Sequence, residues 1–296
     1  MAQRSLNFYD IANGQHVFRV KNTLYKFDVV ALSRNSEFFK NMFELSTATS
    51  SDLDPIVLPD NFFEWEFEIF ALIAYGRPPA PDSQVWPKAG KASPLLLRLL
   101  ELSRFLMSPP TRTMALNLIK ARSFTFPPAL LIHLSFEYGT KVLFIAAFHR
   151  LASSPLRDLT ADDVNNIGME VFVALAKVKE LTQRHRHVVA AEEPIIEAHS
   201  SMCANNLACE RDWHGVWWNG MGRFLLDGRN ALSWTESVER FEAVEFGEMD
   251  ADCRAKMLKL TRTGDAYAHS YNWITSVAET LMGGIAEELG DLRLGL

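Results

Sequence analysis

The sequence predicts an α+β protein, mostly helical, with a small sheet near the N-terminus and an all-α remainder. Three observations carry this. Strand signals, short apolar runs bounded by turn residues, are confined to residues 6–60. Helical spacing of apolar residues dominates from residue 62 onward. A chain of 296 residues with 48% hydrophobic and 22% charged content has the composition of a globular protein able to bury a sizeable core, and its length suggests about two domains.

In chain order, "VFRV" (17–20) and "LYKF" (24–27) flank Lys21-Asn22-Thr23 as a hairpin. "PIVLPD" (55–60) is a third short strand bounded by prolines. Two short helical pieces, 28–34 and 37–44, lie between. Ser36 is the expected N-cap of the second, because its hydroxyl can accept an unpaired amide of the first turn. In "FFEWEFEIFALIAYG" (62–76) the alternation at Trp65–Ile69 suggests a strand. The longer spacing of Phe63, Phe67, Phe70 and Ala74 decides for helix. Asn61 and Glu64 form its expected capping box, and Gly76 its stop. Residues 76–93 form a proline-rich loop. The next helix should bury Leu95, Leu99, Leu102 and Leu106, and 109–122 is another helix. "FTFPPA" (124–129) is the expected linker.

Beyond it, two helices hinge near Gly139, Thr160 and Asp163 cap a short helix, and 169–189 is a long one. Residues 190–296 are expected to be helical, with loops at 225–233 and 261–265. His133 and His149 sit in apolar helical stretches and are expected to be core histidines.

The net charge of −6 and pI near 5.8 argue against nucleic acid, whose phosphates need clustered Lys and Arg. The strongest basic cluster, "KVKELTQRHRH" (177–187), is interrupted by Glu180 and is expected to be a solvated helix face. No apolar run reaches the ~20 residues of a membrane span, and the N-terminus lacks a secretory h-region. Three cysteines are too few and odd in number for a disulfide framework. A reducing compartment, cytoplasmic or nuclear, is the expected location.

Catalytic signatures are missing. There is no G-x-S-x-G and no H-E-x-x-H. "WPKAGKAS" fails as a phosphate loop, because Val85 replaces its leading glycine and Ala92 its Ser or Thr. Asp162 and Asp163 sit at a helix start, where carboxylates favour the positive dipole end. One stretch has metal-ligand chemistry: "HSSMCANNLACERDWH" (199–214). His199 and Cys203, four apart, would share a helix face, and Cys209, His214 and Cys253 could complete a tetrahedral zinc set. The wide Cys-x5-Cys spacing favours structural thiols in a helical core instead. Trp213 and Trp217 share a face as well, as a core stripe before a partner hot spot.

Read together, "VFRVKNTLYKFDVVALSRNSEFFKNMFE" resembles the opening of a BTB/POZ domain, with Ser36, Phe39, Met42 and Phe43 at the positions of its S-x-x-F-x-x-M-F helix. "IVLPD" looks like that domain's third strand. "FEIFALIAYG" resembles its aliphatic–Tyr–x–Gly helix end, and "LLLRLLELSRFLMSPPTRTMALNLI" its closing helices. Asp28 stands where the family usually has a histidine. Residues 134–184 are similar to the helical region behind this domain in fungal BTB proteins, and 203–226 with "MDADC" (249–253) to the same group's C-terminal segment.

The resemblance implies a BTB/POZ domain over 1–123, a BACK-like helical region over 124–190 and a C-terminal helical region over 191–296. It implies an adaptor that carries no catalysis. No catalytic residue, cofactor or metal ligand is assigned, and the alternatives are a zinc-stabilised helical structural protein or an enzyme of unrecognised type. The implied partners are proteins: a second copy of the chain, a cullin ubiquitin-ligase scaffold or a transcriptional regulator. A cullin-type groove would involve Phe43, Glu44 and Tyr75.

Overall fold

The computed structural model describes residues 2–9, 16–45, 50–79, 92–228, 232–263 and 268–293. The chain is α+β and mostly helical, and divides into two compact units, Met1–Phe126 and Pro127–Leu296. The expected divisions were at 123/124 and 190/191. The "WPKAGKAS" stretch up to Lys91, and parts of the loops at 225–233 and 261–265, lie outside the described residues.

The first unit is built on a four-stranded sheet ordered β1-β3-β2-β4: β1 (Gln3–Arg4), β2 (His16–Val20), β3 (Thr23–Phe27) and β4 (Ile56–Val57). β2 and β3 pair antiparallel with His16 opposite Phe27, and Lys21 turns the hairpin at φ 50°. β1 and β4 add parallel edges. β1 was not foreseen, because two exposed polar residues carry no alternation.

Asp28 caps α1 (Val29–Asn35) by accepting from the Val30 amide at 2.9 Å. Ser36 opens α2 (Glu37–Leu45): its hydroxyl accepts from the Phe39 amide at 3.3 Å and donates to the Leu106 carbonyl at 2.5 Å. α3 runs over Glu64–Ala74. The expected Asn61/Glu64 box does not form. Phe63 is the cap, with its amide donating to Glu66 at 3.0 Å, and the Asn61 carbonyl accepts from Arg98 at 2.7 Å. Gly76 ends α3 at φ 70°, its amide returning to Ile73.

α4 (Ala92–Phe105) packs along α5 (Pro109–Ala121). Leu99, Leu102 and Leu106 are buried as expected, but Leu95 is only half-buried, and Leu96 and Leu100 take part of the face. The core is a continuous set of rings. Phe18 meets Phe39 edge-on at 5.6 Å, Phe67 meets Phe27 at 5.3 Å, and Phe39 stacks on Phe70 at 5.6 Å.

The second unit is helical. α6 (Pro128–Tyr138) and α7 (Lys141–Ser153) turn at Gly139, whose φ of 64° suits a residue without Cβ. Thr160 and Asp163 cap α8 (Ala161–Ile167) reciprocally, and α9 (Met169–Ala191) follows. His133 is exposed, contrary to expectation, because it points away from the face buried by Leu131, Ile132 and Leu134.

Residues 192–205 are not helical. Pro194 supplies no amide and disfavours helix at the residue before it. Asn205 then caps α10 (Asn206–Val216), which passes through a π turn at Trp217–Met221 into α11 (Gly222–Leu226). α12 (Trp234–Glu242), α13 (Ala251–Thr263) and α14 (Ala268–Arg293) complete the unit.

Candidate functional site

In the first unit, Phe43 is half-buried, its ring 5.0 Å from His16 and 6.2 Å from Phe18. Glu44 is exposed beside it. The Tyr75 hydroxyl accepts from the Asp28 amide at 3.0 Å, and its ring stacks on Phe27 at 6.2 Å. Burial raises the Tyr75 hydroxyl pKa above its ordinary value. Phe43 and Tyr75 therefore each extend the domain's own aromatic core, at different rings of it. The core uses only part of the apolar surface of α2. Phe39 is fully buried, Phe38, Met42 and Phe43 are half-buried, and Leu45 is 88% exposed.

In the second unit, four side chains from three elements converge. His199 and Cys203 come from the 192–205 segment, Cys209 from the first turns of α10, and Cys253 from the first turn of α13. Their ligand atoms all lie within 4.8 Å of one another. His199 Nδ1 is 3.7 Å from Cys203 Sγ and 3.8 Å from Cys253 Sγ. The helix face expected to hold His199 and Cys203 is absent. A turn between Ser200 and Cys203, closed at 3.1 Å, folds Cys203 back instead.

The other His199 nitrogen, Nε2, faces Glu210 Oε1 at 3.1 Å. The Ser200 amide donates to Cys253 Sγ at 3.1 Å, and Asp250 caps α13 by accepting from the Cys253 amide at 3.0 Å. Burial pushes the Cys209 thiol up to about 12 and the Cys253 thiol upward too. His214, grouped with these residues by sequence, is not among them. It is exposed and pairs with Glu193 at 2.6 Å.

The remaining sequence candidates resolve into structure. The Trp213 and Trp217 indoles donate to the Pro194 and Ala190 carbonyls at 2.8 and 3.0 Å, and their rings are buried against Phe241. They are core, not a partner hot spot. Along 177–187, Lys179 donates to the Ala152 and Ser154 carbonyls, Arg184 pairs with Glu180 and Arg186 reaches the Leu232 carbonyl. Burial holds the Lys179 amine down to about 8. Asp163 is occupied as a cap.

Among the described residues, no helix is long and apolar enough to cross a membrane. No family model, no curated protein and no solved structure matches the chain.

Proposed function

We propose that this chain is a protein-interaction adaptor whose first unit, a BTB/POZ-like domain, makes the contact by self-association or by docking a cullin-type scaffold or transcriptional regulator. The carrying observation is α2. Its apolar side chains outrun the core available to bury them, leaving Leu45 88% exposed next to half-buried Phe43 and exposed Glu44. Covering such an edge would recover on the order of 2 kcal/mol per large side chain. The ordered sequence motifs through 17–122 support the same reading.

The test is sedimentation velocity of the full chain, alone and with a purified cullin N-terminal region. Self-association or cullin binding that is weakened tenfold or more by Leu45→Lys, with the circular dichroism unchanged, supports the reading. A chain that stays monomeric at high micromolar concentration and ignores the cullin argues for another role.

A further inference from the structure

We propose that His199 Nδ1 and the sulfurs of Cys203, Cys209 and Cys253 hold a structural zinc ion in the second unit. This stands independently of the adaptor reading.

The spacing fits the ion. A tetrahedral zinc, with bonds of about 2.3 Å to sulfur and about 2.0 Å to imidazole nitrogen, places its ligand atoms roughly 3.5–3.8 Å apart. The two His199–cysteine separations are 3.7 and 3.8 Å, and the whole set spans no more than 4.8 Å. Ordinary packing gives no reason to gather three thiols around an imidazole lone pair, because a buried thiol behaves as a small apolar group and is served by any apolar neighbour.

The surroundings match a metal site beyond its ligands. Glu210 Oε1 faces His199 Nε2 at 3.1 Å, and a carboxylate can only accept, so the neutral ring carries its hydrogen on Nε2 and turns the Nδ1 lone pair to the sulfurs. A carboxylate on the second ring nitrogen is how metal-bound histidines are oriented and made more basic. The Ser200 amide donates to Cys253 Sγ at 3.1 Å, a contact suited to a thiolate. Three thiolates on a dication leave one net negative charge. Cys209 and Cys253 sit near the N-terminal ends of α10 and α13, where the aligned peptide dipoles offset that charge.

Sulfur-rich tetrahedral sets select zinc over magnesium, calcium or manganese, which prefer oxygen. Four protein ligands leave no position for water or substrate, so the ion is structural and not catalytic. Its role follows from what it joins. The 192–205 segment has no helix of its own, and zinc fastens it to two helices whose Cys209 and Cys253 belong to the core built on Trp213, Trp217 and Phe241.

The full chain, purified without chelator under reducing conditions, should carry about one equivalent of zinc by elemental mass spectrometry. Replacing zinc with cobalt(II) should give the thiolate charge-transfer band and the intense visible bands of a tetrahedral site with three thiolates and one imidazole. A strong chelator should expose all three thiols to alkylation and lower the melting temperature by roughly 10 °C or more. Cys203→Ser, at the half-buried one of the three thiols, should weaken zinc retention at least tenfold while the helical content persists. Less than about a tenth of an equivalent of zinc, together with no cobalt spectrum on direct titration of the folded wild-type chain, overturns the proposal. So does a disulfide between two of these cysteines in protein kept reduced. Neither result touches the self-association and cullin measurements.

Discussion

Arg98 closes over a carboxylate with no exposure at all: its Nε lies 2.9 Å from Oε1 of Glu66, while its Nη2 reaches the Asn61 carbonyl at 2.7 Å. α4 thereby clamps the start of α3, where Glu66 also accepts the Phe63 amide. Removing one partner of such a pair strands the other. Arg98→Met should destabilise the first unit by about 3 kcal/mol in urea titration of the full chain. Glu66→Gln should cost less, since its amide oxygen can still accept from Phe63. Equal losses would show that the stranded carboxylate is not what sets the cost.

Three glycines of the second unit should behave differently when given a methyl group. A Cβ on Gly220 would lie 3.0 Å from Cδ2 of Phe241, a ring wedged against Trp213 and Trp217. On Gly247 it would lie 2.7 Å from Asp212 Oδ2, at φ 58°. There Asp212 is fixed by accepting the Glu248 amide at 2.7 Å. Gly220→Ala and Gly247→Ala should each cost about 1–3 kcal/mol, through overpacking and through strain plus collision. Gly215, inside α10 with nothing within 4 Å, is the contrast. Gly215→Ala should stabilise by about 0.5–1 kcal/mol. Thermal denaturation ranks all three.

How much could be read in advance depended on how local the cause was. The hairpin, the Ser36 cap, the Gly76 and Gly139 turns and the Thr160/Asp163 box are set by neighbours a few residues apart, and the sequence shows them directly. The α3 cap was misplaced because Asn61 is claimed by Arg98, a residue on another helix. The four-residue cluster was visible only as residue types. The sequence spacing suggested a shared helix face for His199 and Cys203, and included His214. What assembles the set is a turn at Ser200–Cys203 and the arrival of α13 with Cys253, neither of which has a periodic signature. Pro194 was the available signal that 192–205 would not be helical.

His149 gives the second unit a pH dependence of known sign. Its ring stacks on Tyr271 at 4.3 Å and its Nε2 meets Thr275 Oγ1 at 2.9 Å. Burial lowers its pKa below the ordinary 6.5. The unfolded chain therefore binds a proton at a pH where the folded one does not, and stability falls as pH drops through about 6.5. Between about pH 7 and pH 5 the wild-type unfolding free energy should decline. His149→Gln should decline less steeply, whatever its absolute stability. Identical slopes would remove His149 from the account.

Phe39 and Phe43 separate folding from contact. Phe39 is fully buried among Phe18, Phe67 and Phe70, so Phe39→Ala should cost about 3–5 kcal/mol and remove association only through unfolding. Phe43 is one turn further along α2, half-buried against His16 and Phe18. Phe43→Ala should cost about 1 kcal/mol of stability. If the α2 edge is the docking surface, the same change should weaken self-association or cullin binding by tenfold or more while the domain stays folded. Sedimentation velocity beside denaturant titration reads both quantities on one sample. Should Phe43→Ala change stability alone and leave association as in the wild type, Phe43 belongs only to the core, and the contact surface must be sought away from α2.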